Sequence, residues 1–172
     1  MNSKLRAGAL AALAPLFLLA VVACTPTVPL TPAADATNPD CAEVIVRLPH
    51  SLADETIRQT NAQATSAWGN PAAILLRCGV TPPGPTKDAC HTVSGIDWLR
   101  DSSKAPVYVF TTFGRTPAIE VIVDSRLTNG QGTQYLDELA NAVGSIKQTS
   151  KCLSRDDVLG TNTPTPTPSP TG

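Results

Sequence analysis

The chain has 172 residues, with 13 Lys+Arg against 14 Asp+Glu and a formal net charge of −1. That balance excludes a strongly basic nucleic-acid binder, and the length allows one domain of ordinary size or two very small ones. A charged fraction of 16% beside a hydrophobic fraction of 42% also excludes a wholly disordered chain.

Lys4 and Arg6 open the chain, and the run from Ala7 to Ala23 carries no charge. A positive start, an apolar centre and small residues before a cut are the three parts of a secretory leader. The run ends in Val21-Val22-Ala23-Cys24, which matches the bacterial lipobox. Residues 1–23 therefore read as a lipoprotein signal peptide, and Cys24 as the thiol that takes the lipid. Membrane lipid, held through acylated Cys24, is the first expected partner. An uncleaved transmembrane helix is the competing reading. Pro15 interrupts the run, and no basic residue follows before Arg47. Ordinary secretion without a lipid is the third reading.

Residues 24–40 hold Pro26, Pro29, Pro32 and Pro39, and read as a Pro/Thr-rich tether that keeps the domain off the membrane. Residues 41–159 follow as a globular domain long enough to bury a core. Its first element is an expected strand: Ala42, Val44, Val46 and Leu48 alternate with Glu43, Ile45 and Arg47. A short helix is expected from a cap at Ser51, and another helical turn over Asn61 to Trp68, stopped by Gly69. Ile74 to Cys78 is a short apolar strand. Val93 to Leu99 is a weaker one, with Gly95 as a possible bulge. Val107 to Phe113 and Ala118 to Val123 are rich in β-branched and aromatic residues, and the short link between them makes a β-hairpin.

The strongest helical pattern is Gln134 to Ile146, where Leu136, Leu139, Val143 and Ile146 share a face and Thr133 is the expected N-cap. Residues 160–172 repeat Thr and Pro. They read as a disordered tail, with an O-glycosylated stalk as the other reading of the same composition. The fold class is α+β: an antiparallel or mixed sheet of about five strands, a C-terminal helix and one or two short helices.

The five cysteines are an odd set. With Cys24 assigned to lipid, Cys41, Cys78, Cys90 and Cys152 remain, and an exported domain uses such a set as two disulfides. Three pairings are possible. Locality favours Cys78–Cys90, closing the Pro-rich loop between them, with Cys41–Cys152. A metal site at Cys90-His91 is the alternative, but the spacing is not that of a zinc element. No cofactor is indicated.

Catalytic motifs are missing. His50 and His91 are the only histidines, and no Gly-x-Ser-x-Gly, Gly-rich phosphate loop or His-Glu-x-x-His occurs. Asp97, Glu120 and Asp124 are candidate acid–base carboxylates, though acidic residues on strands more often pair with arginine. The candidate binding surface is a charged strip made of Arg47, Arg77, Arg115 and Glu120 beside Trp98. The alternative is a plain ladder of cross-strand ion pairs. With aromatic residues at only 4%, Trp68 and Trp98 also read as core.

Trp68-Gly69-Asn70-Pro71, Leu76-Arg77-Cys78-Gly79, Gly95-Ile96-Asp97-Trp98 and the run from Thr112 to Val121 occur in this order behind the lipobox. Together they resemble an actinobacterial lipoprotein family catalogued as domain of unknown function 3515. The resemblance spans most of Cys41 to Cys152. It implies a Gram-positive envelope lipoprotein with no established activity and no catalytic residues to transfer. The expected function is a membrane-anchored, extracytoplasmic, non-enzymatic module that binds an envelope protein or a cell-wall component. The alternative is a small extracytoplasmic enzyme or ligand carrier linked to cell-wall metabolism. Nucleic acid is not an expected partner.

Overall fold

The computed structural model describes residues 26–86, 88–128 and 133–153; the leader, Cys24 and the Thr/Pro tail lie outside them. The elements are α1 (Pro39–Val46), β1 (Ser51–Leu52), β2 (Glu55–Arg58), β3 (Thr65–Trp68), β4 (Ile74–Val80), β5 (Cys90–Val93), β6 (Ile96–Asp101), β7 (Val107–Thr112), β8 (Ala118–Asp124), α2 (Gln134–Glu138) and α3 (Ala140–Val143). The strands form one 8-stranded sheet in the order β1-β2-β3-β4-β8-β7-β6-β5, antiparallel at every pairing. The α+β class holds, with more strands than the sequence pattern announces.

Strand alternation sorts the sheet into two faces. Ile74, Leu76 and Cys78 stand beside Val123, Val121 and Ile119, and Phe110 beside Val121. Trp98 continues this face on β6. These side chains form one buried core with Cys41 and Val44 of α1 and with Tyr135, Leu136, Leu139, Ala142, Val143 and Ile146. The helices therefore cover one face. The other face carries Leu75, Arg77, Glu120, Ile122, Val109 and Leu99, most of them half-buried.

Several expected elements change identity. The expected first strand is helix α1. Asn38 caps it, its side chain accepting from the Asp40 amide, and Pro39 sits where a helix start tolerates proline. Cys41, Val44, Ile45 and Leu48 fit a helical stripe as well as alternation fits a strand, and cap chemistry decides. Glu43 and Arg47 are consequently an i,i+4 pair at 2.8 Å on an exposed helix face, not strand neighbours.

The helix expected from Ser51 is the β1–β2 hairpin. Its two turn residues, Ala53 and Asp54, take φ of 50° and 64°, as a tight hairpin turn requires. The Ala53 amide donates to the Glu138 carboxyl, which helps hold that turn. The helical turn expected at Asn61 to Trp68 is strand β3, buried at all four positions. Gly95 is no bulge. Ser94 and Gly95, at φ 48° and 78°, form the turn between β5 and β6. The β7–β8 hairpin and the buried stripe Leu136, Leu139, Val143, Ile146 stand as expected, but the helix divides into α2 and α3, and Thr133 makes no side-chain cap bond.

The pairing of the cysteines also differs. The bridges are Cys41–Cys78 and Cys90–Cys152. Sheet faces give the reason. Cys78 shares the core face with Leu76, under α1, whereas Cys90 shares the opposite face with Leu99. A Cys78–Cys90 bridge would have to cross the sheet.

The Pro/Thr-rich segment does not hang free where it is described. The Val28 amide donates to the Gln59 carbonyl at 2.8 Å, and the Leu30 amide to Asn61 Oδ1 at 2.8 Å. The Asp35 amide donates to the Gly79 carbonyl at 3.0 Å. Gly79 has φ +96°, and a Cβ there would collide with the Asp35 carbonyl. Residues 26–38 thus lie along the domain, so its edge falls well before Cys41.

Candidate functional site

The face opposite the helices is crossed at the β5–β6 edge by the segment Gln148–Cys152, which acts as a strap. Asp97 fastens it. Asp97 is 5% exposed and shares its face with Thr92, its cross-strand partner. Thr92 Oγ1 donates to Asp97 Oδ1 at 2.6 Å; Gln148 Nε2 and the Cys152 amide each donate to Oδ2 at 2.8 Å. The Cys90–Cys152 bridge closes the far end of the strap. At its near end the Thr149 amide and hydroxyl donate to the Gly114 carbonyl.

Arg115 supports the same corner from beneath. It is 5% exposed, its Nη1 donates to the Ile146 carbonyl, and its Nε has no partner among the described residues. Burial pushes its pKa down, and the charge of Asp97 works against that shift.

Between the strap and the Pro-rich loop after β4 lies a groove of about 520 Å³. Pro85 and Asp88 form one wall, Ser150 and Leu153 the other, and Leu99 and Phe113 lie with the Cys90–Cys152 bridge between them. A smaller hollow of about 200 Å³ continues past Phe113 between Pro82-Pro83 and Thr149. The lining mixes an aromatic ring, prolines and aliphatic carbon with hydroxyls and both signs of charge. That mixture suits an extended ligand with apolar and polar groups.

Gly114 is the tightest point of the frame. Its φ is +70°, and a Cβ there would run into the Ser150 backbone. Gly114→Ala is expected to lower stability by about 2–3 kcal/mol, from left-handed strain plus overpacking. Urea unfolding measures it; a loss below about 0.5 kcal/mol, the range of an ordinary surface change, would show that the strap is loosely seated.

The candidate strip does not assemble. Arg77 and Glu120 are direct cross-strand neighbours in the middle of the open face and pair at 2.6 Å. Arg47 is the C-cap of α1, Arg115 is buried beneath the strap, and Trp98 is fully buried in the core with no partner for its Nε1 among the described residues. The carboxylates Asp97, Glu120 and Asp124 go to separate sets of partners. Asp124 pairs with Arg126 at 2.5 Å, a hydrogen bond that holds its carboxyl below the usual range. His50 is exposed in the loop before β1, and His91 is exposed on β5. Among the described residues no cluster of His, Cys, Asp and Glu is arranged to hold a metal ion. No helix among them is long and apolar enough to cross a membrane.

The groove itself escapes sequence reasoning, because its lining comes from four separated segments. One signal was available: Phe113 is an aromatic residue beside a turn, in a chain with three phenylalanines. No curated protein and no solved structure matches the chain. A family model described as a protein of unknown function (DUF3515) matches residues 8–152, from inside the N-terminal apolar run to the cysteine of the strap, and the chain belongs to that family.

Proposed function

We propose that this protein is a lipid-anchored, extracytoplasmic binding module of the cell envelope, held to the membrane through Cys24 and engaging an envelope protein or a cell-wall component through the groove beside Phe113. The observation that carries the reading is how the buried polar groups are used. Asp97 and Arg115 sit behind the groove wall and hold the strap in place, an arrangement that shapes a surface. A groove of about 520 Å³ is also within the range of small-molecule sites, which makes a ligand carrier the second reading. The anchoring half rests on the leader, the lipobox and the two further disulfide-forming pairs expected of an exported domain.

Two experiments test the two halves. Wild-type protein is expected to incorporate labelled fatty acid and Cys24→Ala to lose the label; persistent labelling of that variant removes the anchor. A photo-crosslinking residue at Ser150 is expected to capture one reproducible envelope partner in intact cells, while the same residue at Arg126, away from the groove, captures none. Equal capture at both positions, or none at Ser150, removes the binding site.

A further inference from the structure

The lipid anchor and the folded domain are joined by almost no slack. A single residue, Thr25, separates Cys24 from Pro26. Two peptide steps span at most about 7 Å. At Pro26 the chain is already clamped. Arg58 Nη2 donates to the Pro26 carbonyl at 2.7 Å, while Nη1 of the same guanidinium donates to the Gly69 carbonyl at 2.8 Å and to Asn70 Oδ1 at 3.1 Å. One side chain of β2 therefore ties the incoming chain to the β3–β4 turn. Beyond the clamp, Val28 forms a parallel bridge with Thr60, and its carbonyl accepts from the Asn61 amide at 3.4 Å.

We infer that the domain rests directly on the phospholipid bilayer with its β1–β2 edge against the headgroups, so that the groove at the β5 edge faces away from the membrane. This rests on the lipid-anchor reading of Cys24 proposed above. The surface nearest the clamp presents Asp54, Glu55, Thr56 and Asn70 with the Arg58 guanidinium. It is polar and mixed in charge, so it suits a headgroup layer and not hydrocarbon; the acyl chains supply the membrane affinity. The strand order places β2 and β5 six spacings apart, about 29 Å across the sheet. An anchor at one edge thus presents the groove at the other to the envelope space.

The chain holds two tryptophans, one toward each edge of the sheet, and they serve as the probes. Trp68 lies on β3, one strand from the clamp, and Trp98 on β6. Acylated full-length protein is reconstituted into phosphatidylcholine–phosphatidylglycerol vesicles carrying a dansyl-labelled phospholipid. Energy transfer is read in Trp98→Phe, which keeps Trp68, and in Trp68→Phe, which keeps Trp98. With about 19 Å between the two strands, transfer from Trp68 is expected to exceed that from Trp98 at least about threefold.

Both tryptophans are buried, so the unaltered protein provides a second measurement. Hydrogen exchange of the vesicle-bound chain, compared with soluble Cys24→Ala, is expected to slow at residues 51–58 and stay unchanged at residues 88–93. Equal transfer from the two tryptophans, or unchanged exchange at residues 51–58, in protein that still floats with the vesicles overturns the orientation alone. Wild-type protein that neither takes up fatty acid nor floats overturns the anchor reading, and the orientation with it.

Discussion

Asp97→Ala is expected to destabilise the domain by about 3–5 kcal/mol, the largest loss from any single polar change. Three donors converge on this carboxyl: Thr92 Oγ1, Gln148 Nε2 and the Cys152 amide. Truncation leaves the Cys152 amide and the Gln148 side chain without their acceptor on a part-buried strap. Arg115 loses as well. Its guanidinium is buried, and the charge of Asp97 offsets part of its desolvation. Asp97→Asn should lose less, because the amide oxygen still accepts, but its NH₂ then faces donors. Urea unfolding measures the loss, and hydrogen exchange locates it: residues 148–152 should become the fastest-exchanging part of the domain in either variant. A loss below about 1 kcal/mol, no more than one ordinary hydrogen bond, would mean that the strap is held by the disulfide alone.

What could be read in the sequence follows from how local each signal is. The β7–β8 hairpin is encoded in one stretch of β-branched and aromatic residues around a short turn, and it forms as read. The Leu136–Ile146 stripe is likewise local, and all its members are buried. The segment Ala42 to Leu48 carries two compatible periods. Its helical outcome depends on Asn38 and Pro39, which lie outside the window that suggested a strand. At Ala53 and Asp54 the chain adopts left-handed turn residues without a glycine to announce them, and the contact that supports the turn comes from Glu138, far along the chain.

The candidate site is less local still. Arg77 and Glu120 were legible as members of one strip because each lies on a readable strand, and the register makes them an ion pair. Asp97 was visible as a strand-borne carboxylate, but its role depends on Gln148 and Cys152, which fold back over it. The groove inherits that dependence, since one wall is the strap. The disulfide pairing fails to follow sequence proximity for the same reason: Cys78 and Cys90 are near neighbours in the chain and point to opposite faces of the sheet.

The two bridges should differ in consequence, and the Cys41→Ala/Cys78→Ala double variant is expected to cost the more. Chain entropy alone predicts the reverse. The Cys41–Cys78 bridge spans 37 residues and Cys90–Cys152 spans 62. Restricting the unfolded chain is then worth about 3.8 kcal/mol for the first and about 4.3 kcal/mol for the second. Burial reverses the order. Cys41 and Cys78 are both fully buried and belong to the core shared by α1 and β4, so truncating both removes packed volume as well as the link. Each lost sulfur leaves space that the surrounding core fills only partly, which adds about 1–2 kcal/mol for the pair. Cys90 and Cys152 are half-exposed beside the groove, where solvent takes the place of the removed atoms. Urea unfolding of the two double variants tests the ranking, and equal losses would mean that the core closes over the missing sulfurs. Access separates the bridges kinetically too, because exchange requires a thiolate to reach a sulfur. Under limiting dithiothreitol in native buffer, alkylation should mark Cys90 and Cys152 first, with Cys41 and Cys78 protected until the domain unfolds. Simultaneous labelling of all four would show that α1 opens from β4 without global unfolding.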